Sequence, residues 1–150
     1  MRKLVLGITA LVAAAGLAQA QQAGPPNPQD SIVARQAGYA LQGALVGQMK
    51  AVVMSGGNVK SLTDPAKAIA FWGEAIPGLF PTGSETGHDT KAKPEIWSDR
   101  EGFIKAAAKL NAAATRLAEL ADANDKAGFI KQFQVMGGAC KSCHDAYRKE

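Results

Sequence analysis

Five consecutive residues near the end of the chain, Cys140-Lys141-Ser142-Cys143-His144, bring two thiols and an imidazole into the spacing that attaches a c-type haem. The chemistry requires that spacing. Two thiols add across the two vinyl groups of one porphyrin, and the next residue supplies an imidazole as proximal ligand to the iron. On a helix the three side chains share a face, since Cys140 and Cys143 are i,i+3 and Cys140 and His144 are i,i+4. A thioredoxin-like redox pair would put its cysteines at a helix N-terminus after a strand, and no strand pattern precedes Cys140. A structural zinc site wants four Cys or His ligands, and the whole chain holds only Cys140, Cys143, His144 and His88.

The other end of the chain bears on the compartment. Arg2 and Lys3, the apolar stretch Leu4 to Leu17, and Ala18-Gln19-Ala20 read as a secretory signal peptide over residues 1–20 with a small-x-small cleavage site. The alternative, a membrane anchor, is poorly served by so short an apolar run followed by a polar segment with Pro25, Pro26 and Pro28. Export points to the periplasm, an oxidising space where both cysteines of the chain are accounted for by one motif. Residues 21–150 are enough for one domain with a real core. Removing the leader lowers lysine plus arginine from 17 to 15 against 13 acidic residues, so the formal charge falls from +4 to +2. No lysine-arginine cluster with interleaved aromatics appears, which leaves nucleic-acid binding unsupported.

Elements that could position the motif follow from periodicity. Four helical patterns are separated by turn signals, and none of the segments alternates as a strand. The first is predicted from about Ser31 to Met54, capped by Asp30 or Ser31, with Ile32, Tyr39, Val46, Met49 and Val53 on one side. The second opens at Asp64-Pro65, carries Ile69, Trp72 and Ile76, and ends at Pro77. A long connection, Gly78 to Lys93, precedes a third helix that opens between Pro94 and Asp99 and runs to Ala121. Its Phe103, Ala107, Leu110, Ala114, Leu117 and Ala121 form a bundle seam. Asp122 to Asp125 turns the chain into a fourth helix, where Phe129, Phe133, Met136, Cys140, Cys143 and Tyr147 hold one phase. The pattern predicts an all-α protein, an antiparallel up-down-up-down four-helix bundle with covalently attached haem filling its interior near one end.

These residues resemble the cytochrome c′ (cytochrome c prime) family, which is built as such a bundle. The likeness spans residues 21–150 and rests on Cys140 to Arg148, on Lys93-Pro94-Glu95-Ile96-Trp97, on Ile76-Pro77 and Phe80-Pro81, and on Arg35-Gln36. The resemblance implies one covalent haem c on Cys140 and Cys143, with His144 as axial ligand to high-spin five-coordinate iron. It implies Arg148 on the proximal side, i,i+4 from His144, where the bland alternative is a solvated C-terminal charge. It also implies a homodimer packed through the first two helices.

On the open side of the iron the resemblance places Tyr39, with Arg35 four residues earlier as the other distal-pocket candidate. A low-spin sister group, the cytochromes c-556, carries a ligating methionine at the Tyr39 position. A phenol is a poor ligand to this iron, so tyrosine leaves the sixth site empty or sterically guarded. Met49, Met54 and Met136 are read as core packing and His88 as a solvent-facing loop residue. The distal side is expected to be apolar and without hydrogen-bond donors. The resulting expectation is a non-enzymatic, gas-binding haem protein for nitric oxide or carbon monoxide, scavenging or buffering nitric oxide and exchanging electrons with periplasmic redox proteins. The alternative is a simple c-556-like electron carrier. A peroxidase or nitric oxide reductase would need a distal acid-base pair or second metal, and the distal helix offers only Arg35.

Overall fold

A computed structural model describes residues 27–150; the predicted signal peptide lies outside the described residues. The helices are α1 (Pro28–Ser55), α2 (Thr63–Ala75), a single turn α3 (Glu95–Ser98), α4 (Arg100–Asp122) and α5 (Lys126–Tyr147), with 3-10 turns at Val59–Leu62 and Ile76–Leu79. No strand forms among the described residues, only one isolated antiparallel bridge between Ala92 and Arg148. No helix among them is long and apolar enough to cross a membrane.

Local chemistry sets the helix ends. The α1 cap is Asn27, not Asp30 or Ser31: its side chain accepts from the Gln29 amide at 3.1 Å, and Pro28 occupies the first turn, where its missing N–H leaves no bond unmade. At the other end Gly56 takes φ 70°, and the amides of Gly57 and Gly56 donate back to the carbonyls of Val52 and Val53 at 2.9 and 3.3 Å. Asp64 does not cap α2 either, because the preceding 3-10 turn, itself capped by Asn58, runs directly into the helix at Thr63. Asp99 and Asp125 cap α4 and α5 by accepting from the amides of Gly102 and Gly128 at 3.1 and 2.9 Å.

Four cross-helix bonds give the up-down-up-down order. Arg35 near the start of α1 donates to the Leu79 carbonyl just past α2. Asn111 of α4 donates to the Ala70 carbonyl of α2 at 2.9 Å, and Gln132 of α5 to the Ala113 carbonyl of α4 at 2.9 Å. Lys126 at the start of α5 donates to the Gly56 carbonyl at the end of α1 at 2.6 Å. Helix α4 is central, packed on one side against α2 and on the other against α5. All six of its predicted seam residues are buried. Helix α1 approaches α2 and the 3-10 turns but stands off from α5, and the space between them is where the cysteine motif points.

Candidate functional site

Helix α5 runs without interruption from its Asp125 cap to Tyr147, so the phase read from sequence carries through to the motif. Phe129, Met136 and Tyr147 are buried on its inner stripe, and Phe133, Cys140 and Cys143 pack half-buried on the same side. Both thiols and the His144 imidazole line a cavity of about 600 Å³. Phe103, Ala107 and Leu110 of α4 form its floor, and Tyr39, Gln42 and Val46 of α1 form the wall opposite α5.

Electrostatics separate the competing readings of the cysteines. Burial pushes the Cys140 thiol up, and burial followed by the neighbouring Cys140 pushes Cys143 up. A redox-active pair needs the opposite shift, toward thiolate. His144 is shifted down, first by burial and then by the Arg148 charge, with Asp145 opposing, which favours the neutral imidazole that ligates metals. Two thiols and an imidazole on one helix face, opening onto an apolar-floored cavity of about 600 Å³, fit a covalently attached porphyrin in donor set and in space.

Tyr39 lines the cavity from the α1 side, and burial, then the Cys143 charge, pushes its phenol well above the usual tyrosine range, with Arg35 opposing. It is neutral at neutral pH. Among the described residues no methionine lines the cavity. Met49 and Met136 are core, at 0% and 1% exposed, whereas Met54 is 76% exposed on the outer side of the last turn of α1, which corrects its reading as core. His88 is exposed in the connection, and its carbonyl accepts from Gln36 at 2.7 Å.

Arg35 borders the cavity, but its guanidinium is committed elsewhere. Nη1 donates to Ser84 Oγ at 2.8 Å and Leu79 O at 3.2 Å; Nη2 donates to Ser84 O at 2.7 Å and Thr90 Oγ1 at 2.9 Å. Its Cζ lies 4.2 Å from the Phe80 ring centroid. Arg35 is therefore the anchor that folds the Gly78-to-Lys93 connection against α1, and Ser84 and Thr90 are partners that sequence periodicity does not reveal.

Arg148 lines the cavity beside His144, and its amide donates to the His144 carbonyl at 3.0 Å, the i,i+4 bond that closes the last turn of α5. It caps α5 with extended backbone at φ −119°, because the chain there leaves the helix to pair with the connection. Lys93 N donates to Tyr147 O at 3.0 Å and Lys149 N to Lys91 O at 2.8 Å. Arg148 therefore both ends the helix that carries His144 and begins the strap.

Gln42 overturns the expectation of a distal wall without donors. It lies one helical turn after Tyr39, at i,i+3, and lines the cavity half-buried. That spacing from Tyr39 was the signal in the sequence.

The comparisons agree with this geometry. The family profile described as Cytochrome C' matches residues 30–148. Cytochrome c' of Allochromatium vinosum is 32% identical over 152 residues, 99% of this chain and 99% of that protein. That of Rhodospirillum rubrum is 41% identical over 87 residues, 58% of this chain and 59% of that protein. Among solved structures, cytochrome c' from Thermochromatium tepidum superposes with a TM-score of 0.79 at 30% identity, covering 85% of this chain and 100% of that one. A cytochrome c' with ligand-controlled dimer dissociation gives 0.79 at 31%, covering 85% and 100%. A nitric oxide complex of a mutant cytochrome c prime from Alcaligenes xylosoxidans gives 0.75 at 29%, covering 85% and 99%. Motif, bundle and cavity thus converge with the sequence matches: the chain belongs to the cytochrome c′ family, whose proteins carry covalently bound haem c, and Cys140 and Cys143 are present here.

Proposed function

We propose that this protein is a periplasmic haem protein that binds small diatomic gases, nitric oxide above all, at high-spin five-coordinate iron, and that it buffers or scavenges the gas without acting as an enzyme. One observation carries the reading: among the described residues His144 is the single imidazole lining the cavity, and Tyr39 stands with Gln42 and Val46 on the opposite wall, with no methionine to close a sixth position. Bound haem supplies an iron centre that holds a diatomic ligand and exchanges single electrons. The protein's part is positioning. Cys140 and Cys143 would fix the porphyrin to α5 and His144 would hold the metal, its imidazole favoured in the neutral form first by burial and then by the Arg148 charge.

Tyr39 guards the opposite side by bulk, excluding larger ligands by size, and Gln42 adds a donor one turn away. The nitric oxide complex of the Alcaligenes xylosoxidans relative supports gas binding. Dimerisation through α1 and α2 is supported by the exposed Val33, Leu41 and Phe71 on those helices, at 50%, 70% and 70%, and by the dimer of the relative described above. The deciding experiment is absorption and resonance Raman spectroscopy of the purified ferric and ferrous protein. High-spin five-coordinate iron is expected; a six-coordinate low-spin spectrum would instead assign a c-556-like electron carrier.

A further inference from the structure

Tyr39 forms part of the cavity wall, yet among the described residues no hydrogen bond holds its phenol, so its placement rests on packing. The partner is Trp72 of α2: the two ring centroids are 5.4 Å apart and the planes cross at 83°, an edge-to-face pair. Trp72 is half-buried against the core and does not itself line the cavity. It stands behind Tyr39, one layer back.

What seats Trp72 is an absence of side chain on α1. An ideal Cβ built on Gly38 would overlap the Trp72 ring carbons Cη2, Cζ3 and Cζ2. The indole therefore enters a notch that exists only because residue 38 is glycine. Gly38 and Tyr39 are consecutive, so the wedge bears on the same turn of α1 that carries the phenol. Trp72 Nε1 is buried with no hydrogen-bond partner, so no polar contact fixes the indole, and shape alone sets its position.

We propose that Trp72, wedged into the Gly38 notch, is a positioning residue that holds the Tyr39 ring over the cavity and so sets the size of ligand admitted. The proposal rests on Tyr39 acting as the guard. With the indole removed, the phenol loses its backing and gains rotamers that clear the cavity. Entry should quicken while the bond to the iron, which Trp72 does not touch, keeps its strength.

The test measures association and dissociation of carbon monoxide and of ethyl isocyanide on the ferrous holoprotein, for Tyr39→Ala, Trp72→Ala, Trp72→Phe and the double alanine variant. Tyr39→Ala and Trp72→Ala should each raise association about tenfold, the order to which one aromatic pair converts. The gain should be larger for ethyl isocyanide, and dissociation should not change. The double variant should be no faster than Tyr39→Ala, and Trp72→Phe, which keeps a ring in the notch, should stay near wild type. A crystal structure of Trp72→Ala should show Tyr39 in more than one rotamer.

Fast entry in Tyr39→Ala with wild-type entry in Trp72→Ala overturns the proposal, as does a single unchanged Tyr39 rotamer or an additive double variant. If Tyr39→Ala is itself unchanged, the guard reading fails first and takes this one with it. Should Trp72→Ala not fold, Gly38→Ala displaces the same ring from the other side and must give the same gain in association; a wild-type rate there also overturns it.

Discussion

Tyr147 Oη donates a 2.8 Å hydrogen bond to Asp99 Oδ2, tying the last turn of α5 to the residue that caps α4. The bond anchors the helix end that carries His144. Burial first, then the hydrogen bond and charge of Asp99, push the Tyr147 phenol up to about 12.

Because that pKa is raised in the folded state, the folded protein holds a proton that the unfolded chain releases near pH 10. The contribution is whole below about pH 10 and lost as pH climbs toward about 12. Tyr147→Phe should cost about 1 kcal/mol at pH 7 and flatten the loss of stability between pH 10 and 12. Urea denaturation of both proteins at pH 7 and pH 11 checks this, and an unchanged alkaline slope would remove Tyr147 as its source.

Arg35 makes four hydrogen bonds to Leu79, Ser84 and Thr90 while only 2% exposed. Its loss strands buried acceptors and frees the connection. Arg35→Ala should destabilise the protein by roughly 3 kcal/mol or more, and Arg35→Lys should not rescue it, since an ammonium lacks the planar fork. Hydrogen exchange should show lost protection concentrated in residues 79 to 93; uniform loss across the bundle would argue against a loop anchor.

Tyr39 occupies the wall facing His144 across the cavity. Thioether sulfur ligates haem iron as it stands, whereas a phenol must first lose its proton to do so, and burial here holds the phenol in its protonated form. Tyr39→Met should therefore shift part of the ferric and ferrous population to a six-coordinate low-spin absorption spectrum. A purely high-spin spectrum in the variant would place residue 39 out of reach of the metal.

After burial, the Arg148 charge is the next cause that lowers the His144 pKa, and Arg148 borders the same cavity. Arg148→Ala removes that charge while leaving the main-chain strap to Lys91 and Lys93 in place. Nitric oxide formation or release kinetics, followed by stopped-flow absorption, should change. Identical rates would reduce Arg148 to a surface charge.

The cofactor, the four long helices and the inner faces of α4 and α5 were legible in the linear chain because each depends on spacing within one helix, whereas the break at Asp99 that sets the single turn α3 apart from α4 was not. Cys140, Cys143 and His144 lie within one turn, and the α4 seam repeats every three or four residues. Helix starts were read less well, since Asn27, with Pro28 in the first turn, caps α1 by a side-chain bond that composition alone did not single out from Asp30 and Ser31.

Tertiary structure decided the rest. Arg35 meets Ser84 across 49 residues of chain, Arg148 leaves the end of α5 to pair with Ala92, and Trp72 reaches Tyr39 through the gap at Gly38. No local periodicity encodes such meetings. They arise when helices with fixed faces pack at fixed separations, and only then does a side chain acquire the neighbours that determine what it does.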